Sequence, residues 1–182
     1  MNALWVGWQR RCDASAVVRF VDINLRGTGQ VMFQNHPLTG ALFLAAIAWG
    51  SFAAGAPEVL FGGLLGLVTA TLAAMWLRVD AEGLAAGLYG YNGILVGLAL
   101  ATFLAPSWLL WCYVVLGAAV SVVAMLGTVN VAKTWRVSAL TFPFVLTTWL
   151  LLLAAFAFAG VGNDVPPFAG EIEPLEPAAS NP

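Results

Sequence analysis

The chain has 182 residues, of which 61% are hydrophobic and 9% charged, and its formal net charge is −2. A soluble domain carries roughly a quarter charged residues, so this composition excludes a water-facing globular surface. Runs such as LTGALFLAAIAWGSFAAGA and VLFGGLLGLVTATLAAMWL approach the ~20 apolar residues that span a bilayer, and they predict an integral membrane protein with several helices.

In chain order, the N-terminal segment carries Arg10 and Arg11 after a short Trp-containing stretch, with no small-residue cleavage site behind an apolar core. That pattern does not suit a signal peptide. Residues 16–34, AVVRFVDINLRGTGQVMFQ, are too polar to cross and predict an amphipathic or half-inserted helix. Gln30, Gln34, Asn35 and His36 then gather at a membrane threshold, with Pro37 at the break. Such groups serve either as interfacial hydrogen-bonding residues or as contacts for a solute shedding water. His36, without acidic or cysteine companions, reads as a hydrogen-bonding loop residue.

Five crossings are expected, at about 38–56, 57–78, 81–105, 108–130 and 138–160, with turns at Pro57 and at Ala105-Pro106-Ser107. The third begins EGLAAGLYGYNGILVG, where glycines at 83, 87, 90, 93 and 97 predict a tight helix-packing seam. Tyr89, Tyr91 and Asn92 in the same stretch point to a cavity or a partner, because polar groups at membrane depth seldom face lipid. The fifth begins VSALTFPFVLTTWLL. Pro143 removes a backbone donor there, which predicts carbonyls near residue 139 without helical partners, beside the Thr141 hydroxyl. Such a break is either an ordinary kink satisfied by a neighbouring helix or part of a polar path. Residues 1–160 thus form a membrane unit, and 161–182 an acidic, Pro-rich tail or linker.

With five crossings every Lys and Arg falls on one side, which the positive-inside rule makes cytoplasmic; the N-terminus is expected inside and the tail outside. An odd count also means that a second such unit following in one chain would insert in the opposite direction, as in transporters built from inverted repeats. Cys12 and Cys112 lie in different environments, so neither a disulfide nor a metal site is expected, and no cofactor. The sequence shows no intramembrane acid–base pair, hydrolase motif, nucleophile–base set or phosphate loop. Catalysis, a nucleic-acid partner and ion-coupled transport are therefore not expected, and a passive route for a neutral solute fits better.

Three segments together resemble the urea transporter family. LRGTGQVMFQNHPLTG is similar to its first pore segment, GLYGYNGILVG to its glycine-rich third-helix motif, and ALTFPF to the core of its Leu-Pro-x-x-Thr-x-Pro-Phe signature; they fall in family order. Two positions depart: His36 stands where the family has Asn before proline, and Val137-Ser138 where it has Leu-Pro. The resemblance implies an all-α polytopic membrane protein, with five transmembrane helices plus one half-membrane helix forming one half of an inverted-repeat urea channel. It implies passive passage of urea and a homotrimer in the bilayer, with a second-half unit completing the pore. By motif, Gln30 would lie at the pore mouth and Phe33 would form one wall of a flat slot. Either Tyr91 or Leu95 would form another, and Thr141 with neighbouring carbonyls would offer oxygens, the helix breaks at Pro37 and Pro143 lining the path. Urea is planar and neutral, and acceptors along a narrow slot would replace the water it loses. A channel for another small neutral solute, such as a short amide or ammonia, and a non-conducting membrane assembly partner are the alternatives.

Overall fold

The computed structural model describes residues 3–137 and 139–157, and among them it contains eight helices and no strand. Helix α1 (Ala3–Ala14) meets α2 (Ala16–Gln30) at Ser15, whose extended backbone separates the two. Helix α2 has 15 residues, about 22 Å at 1.5 Å per residue, which is short of a ~30 Å hydrocarbon core. It buries Asp22, Asn24 and Thr28 against protein and leaves Arg19 exposed. Asn24 Oδ1 accepts from the Thr71 hydroxyl at 3.0 Å, and Asn24 Nδ2 donates to the Phe20 carbonyl at 2.8 Å. The helix ends in a turn with Phe33 in the left-handed region (φ 56°), where glycine is usual, and the Gln34 N–H returns to the Gly29 carbonyl at 3.1 Å.

Helix α3 (Pro37–Ala53) starts on a proline whose fixed φ suits the first helical position. It packs closely on α2, and a Cβ on Gly40 would collide with the Leu25 carbonyl. Helices α4 (Pro57–Trp76) and α7 (Trp108–Trp135), of 20 and 28 residues, are long and apolar enough to cross a membrane. Helices α3, α6 (Gly90–Phe103) and α8 (Phe142–Ala157) are shorter apolar segments. Helix α6 is central and touches α2, α4, α7 and α8.

Of the glycines at 83, 87, 90, 93 and 97 expected to form a seam, Gly90, Gly93 and Gly97 meet α4, whereas Gly87 abuts Gly27 of α2 and Gly83 sits over the Asp80 side chain; glycines of α4 complete the contact. Gly62 faces Gly97 and Gly66 faces Gly93; a Cβ on Gly62 would sit 2.8 Å from the Gly97 carbonyl oxygen. Without a hydrophobic drive between helices in lipid, such backbone proximity supplies the dispersion contact that holds them together. Val96, Leu100, Leu110, Val114 and Ala155 pack one core between α6, α7 and α8. Ala70, Ala74, Ala118 and Val122 pack a second beside Tyr89.

Three expected crossings run differently. The segment 81–105 is not continuous: α5 (Ala81–Ala85) stops, and the chain turns through Gly87 (φ 76°) before α6 begins. At this turn the chain lies against α2, and a Cβ at Gly87 would strike the Gly27 backbone. The last helix starts at Phe142 rather than 138, so Pro143 stands in its first turn and kinks nothing. The Ala139 carbonyl, expected to lack a partner, accepts from the Phe142 N–H at 3.2 Å. Helix α7 also runs past residue 130 to Trp135, where Arg136 closes it in the left-handed region (φ 55°). The tail 161–182 lies outside the described residues.

Candidate functional site

The three motif segments converge. The α2 C-terminal turn brings Gln30 and Phe33, the stretch entering α6 brings Leu88 and Tyr91, and the turn before α8 brings Val137, Ala139 and Leu140. With Met125, Val129 and Lys133 of α7 they line a cleft of about 370 Å³. Its floor is Tyr91, 4% exposed, and Ala139; its rim is exposed, with Phe33 at 66%.

Each element is held by a polar bond to the next. Gln30 Nε2 donates to the Ala86 carbonyl at 3.0 Å, tying the end of α2 to the turn before α6. The Tyr91 hydroxyl donates to the Leu140 carbonyl. Leu140, in the left-handed region (φ 43°), lines the cleft, and its carbonyl is engaged by Tyr91 of α6. Asn92, fully buried, accepts at Oδ1 from the Phe144 N–H at 3.2 Å, and its Nδ2 reaches Met125 Sδ at 3.7 Å. A line of cross-helix bonds thus sets the distance between α6 and the start of α8.

Of the expected site residues, Gln30, Phe33 and Tyr91 meet in this cleft. Leu95, one turn further along α6, is half-buried and outside its lining. Thr141 is half-buried in the turn next to Leu140 but does not line the cleft, and its carbonyl accepts from the Val145 N–H at 3.1 Å. Pro143 is buried in the first turn of α8, and Pro37 lies at a different groove. Sequence reasoning missed Met125, Val129 and Lys133, although their spacing of four places them on one face of a helix. That signal is faint in a helix apolar on every side.

The polar threshold at 30–36 is occupied with holding structure together. Asn35 Oδ1 accepts from Arg26 Nη1 at 2.9 Å, and His36 Nδ1 accepts from the Leu38 N–H at 3.2 Å, capping α3. The His36 ring stacks on Trp5 with centroids 5.0 Å apart, and Arg26 lies 5.5 Å from the Trp5 centroid. Asp22, buried, accepts from Trp8 Nε1 and from Arg26 Nε, both at 2.7 Å. These contacts fasten α1 to α2 beside a groove of about 490 Å³ that includes Trp5, Trp8, His36 and Pro37. The Thr147 and Thr148 hydroxyls of α8 are buried without a hydrogen-bond partner among the described residues, and neither lines the cleft. Among the described residues no group of His, Cys, Asp and Glu is placed to hold a metal ion.

A family model for urea transporters matches residues 21–175, most of the chain and all three motif segments. The chain belongs to the urea transporter family. Urea transporter 1 of Rattus norvegicus is 32% identical over 145 residues, covering 78% of this chain and 36% of the relative. Urea transporter 1 of Mus musculus is 31% identical over the same length, and that of Ovis aries 30% over 149 residues, 80% of this chain and 38% of the relative. This urea transporter chain therefore spans little more than a third of the length of these relatives. Its membrane character follows from both the family and the apolar helices. The match begins inside α2, so the Trp-bearing helix α1 lies ahead of the part that the urea transporter family describes.

Proposed function

We propose that the chain forms one wall of a passive path for urea and that its open cleft is closed by a second unit of opposite insertion. The fold is then five crossings (α3, α4, α5–α6, α7 and α8) with α2 as the half-membrane helix, one half of an inverted-repeat channel. The observation that carries this reading is the meeting of residues from three distant motifs, Gln30, Tyr91 and Leu140, around one cleft whose Phe33 rim faces outward. A flat aromatic face at Phe33 and a tyrosine floor, its hydroxyl already donating to the Leu140 carbonyl, suit a planar solute that carries no charge. Thr141 borders the path at its turn once the second unit is in place, and Phe33 forms one slot wall.

All Lys and Arg on one side supports insertion in the cell membrane with the N-terminus cytoplasmic and the acidic tail outside. The completed protomers assemble as a trimer, each with its own pore. The second unit is supplied by another chain or by further sequence, since a self-paired antiparallel dimer would need the one-sided cations to insert both ways.

The test is stopped-flow urea release from proteoliposomes holding the purified chain, alone and with a second-half unit. Urea flux that depends on the assembled form supports the reading. The same rate as empty liposomes in both preparations overturns it and leaves the chain a non-conducting assembly partner. Faster flux of short amides than of urea transfers the path to another neutral solute.

A further inference from the structure

Building on the transport reading, we propose that Lys133 is a specificity-determining residue that repels cations from the cleft and so separates urea from charged molecules of the same shape. An array of oxygen acceptors does not by itself make that distinction. Any oxygen that accepts from urea N–H groups accepts from ammonium and guanidinium N–H groups better, because charge strengthens the hydrogen bond. Something must supply the opposing potential, and the cleft contains one candidate.

Among its lining residues Lys133 alone carries a charge at neutral pH; Gln30 and eight apolar or aromatic residues make up the rest. It ends the stripe formed with Met125 and Val129, so the apolar face of α7 gives way to an ammonium at the cleft margin. The charge has no direct counter-ion: among the described residues the ion pair formed is Arg26–Asp22, at 2.7 Å. Asp80 senses Lys133 only at longer range, its own carboxylate engaged first by the Tyr89 hydroxyl and the Gly83 N–H. The two donors that already occupy carbonyls here, Gln30 on Ala86 and Tyr91 on Leu140, reduce the negative potential in the same sense. Lys133 is solvent-exposed at the cleft margin, so its field is partly screened and reaches the cleft most strongly at low salt.

Guanidinium is the fitting probe, being planar, close to urea in size and permanently charged. Urea and guanidinium fluxes are measured in proteoliposomes with wild type, Lys133→Gln, Lys133→Arg and Lys133→Glu. The guanidinium-to-urea permeability ratio is expected to rise about tenfold with K133Q, further with K133E, and to stay low with K133R, the differences widening at low salt. An equal ratio in wild type and K133Q overturns the assignment. A second arm does not need transport: Val137→Cys, on the cleft lining, is placed in a chain with Cys12→Ser and Cys112→Ser, and its reaction with cationic and neutral thiol reagents is timed. K133Q is expected to speed the cationic reagent at least about threefold relative to the neutral one; equal ratios overturn the assignment. Altered reagent rates without urea flux in any variant overturn the transport reading while upholding the charge at the cleft.

Discussion

The side-chain oxygen of Asn92 on α6 accepts the backbone N–H of Phe144 on α8 at 3.2 Å, 52 residues along the chain. Helix N-termini leave donors without intrahelical partners, and at α8 each is accounted for. Phe142 donates to the Ala139 carbonyl, Pro143 has no N–H, Phe144 donates to Asn92 and Val145 to the Thr141 carbonyl. Replacing Asn92 by Leu keeps comparable bulk and strands the Phe144 donor in a part-buried site. A loss of about 1–3 kcal/mol is expected, with a lower melting temperature in detergent and faster hydrogen exchange at Phe144. An unchanged melting curve would show that Asn92 is dispensable as a cap.

The glycine seam gives a graded prediction. Gly93→Ala places a methyl against the Gly66 carbonyl and Ala70 Cβ, and overpacking of this kind costs about 1–3 kcal/mol. Gly50 and Gly127 have open space where a Cβ would go, so Ala there should be neutral or gain up to about 1 kcal/mol of helix propensity. Denaturation midpoints in one detergent compare all three, and equal shifts would refute the seam as a close contact.

Asp22 and Arg26 are mostly buried, with side chains 12% and 16% exposed, and they also hold Trp8 and Asn35. Arg26→Met leaves a buried carboxylate without its cation, at a cost of about 3 kcal/mol. The double variant Asp22→Asn with Arg26→Met should recover part of that loss. Additive losses in the double-mutant cycle would mean the two side chains do not act as a pair.

Thr141→Val preserves shape and removes one hydroxyl beside the cleft. In the assembled transporter, urea flux is expected to fall about tenfold, the worth of roughly one hydrogen bond in the barrier. Leu95 lies outside the cleft lining, so Leu95→Ala should affect flux less than Tyr91→Ala. The opposite order would move the wall to Leu95.

The Asp80 carboxyl is held below its ordinary value of 3.8, first by the Tyr89 hydroxyl and then by the Gly83 N–H, against a small opposing effect of burial. A depressed carboxyl stabilises the fold above its unfolded value, and that contribution disappears as pH falls through the folded value. The α4–α5 connection should therefore hold at pH 5 and loosen below 3.8, seen as faster proteolysis or exchange around residues 80–89. Asp80→Asn should remove that step in the acid range and leave any others; persistence of the step would assign it to another carboxyl.

Much of the architecture was legible in the amino-acid order. Long apolar runs identified a helical membrane protein, and the glycines at 93 and 97 announced a close helix contact. His36 before Pro37 read correctly as a hydrogen-bonding loop residue: it caps α3. These features are legible because span length, backbone freedom and capping chemistry depend on a few neighbouring residues.

Other features depend on contacts between distant residues, and only the tertiary structure decided them. Ala86–Tyr89 interrupt the expected third crossing where Gly87 lies against α2, and apolar composition does not reveal that contact. Pro143 looked like a break within a crossing because LTFPF is as apolar as the helix that follows it; the helix begins there because Tyr91 and Asn92 receive the turn's Leu140 carbonyl and Phe144 N–H. The sequence by itself determined the solvent this chain lives in and the order of its helices, since both follow from summed hydropathy and local backbone preference. The tertiary structure alone decided which carbonyls are satisfied, which side chains share the cleft and that Lys133 stands at its edge, because each is a matter of distance between segments far apart in the chain.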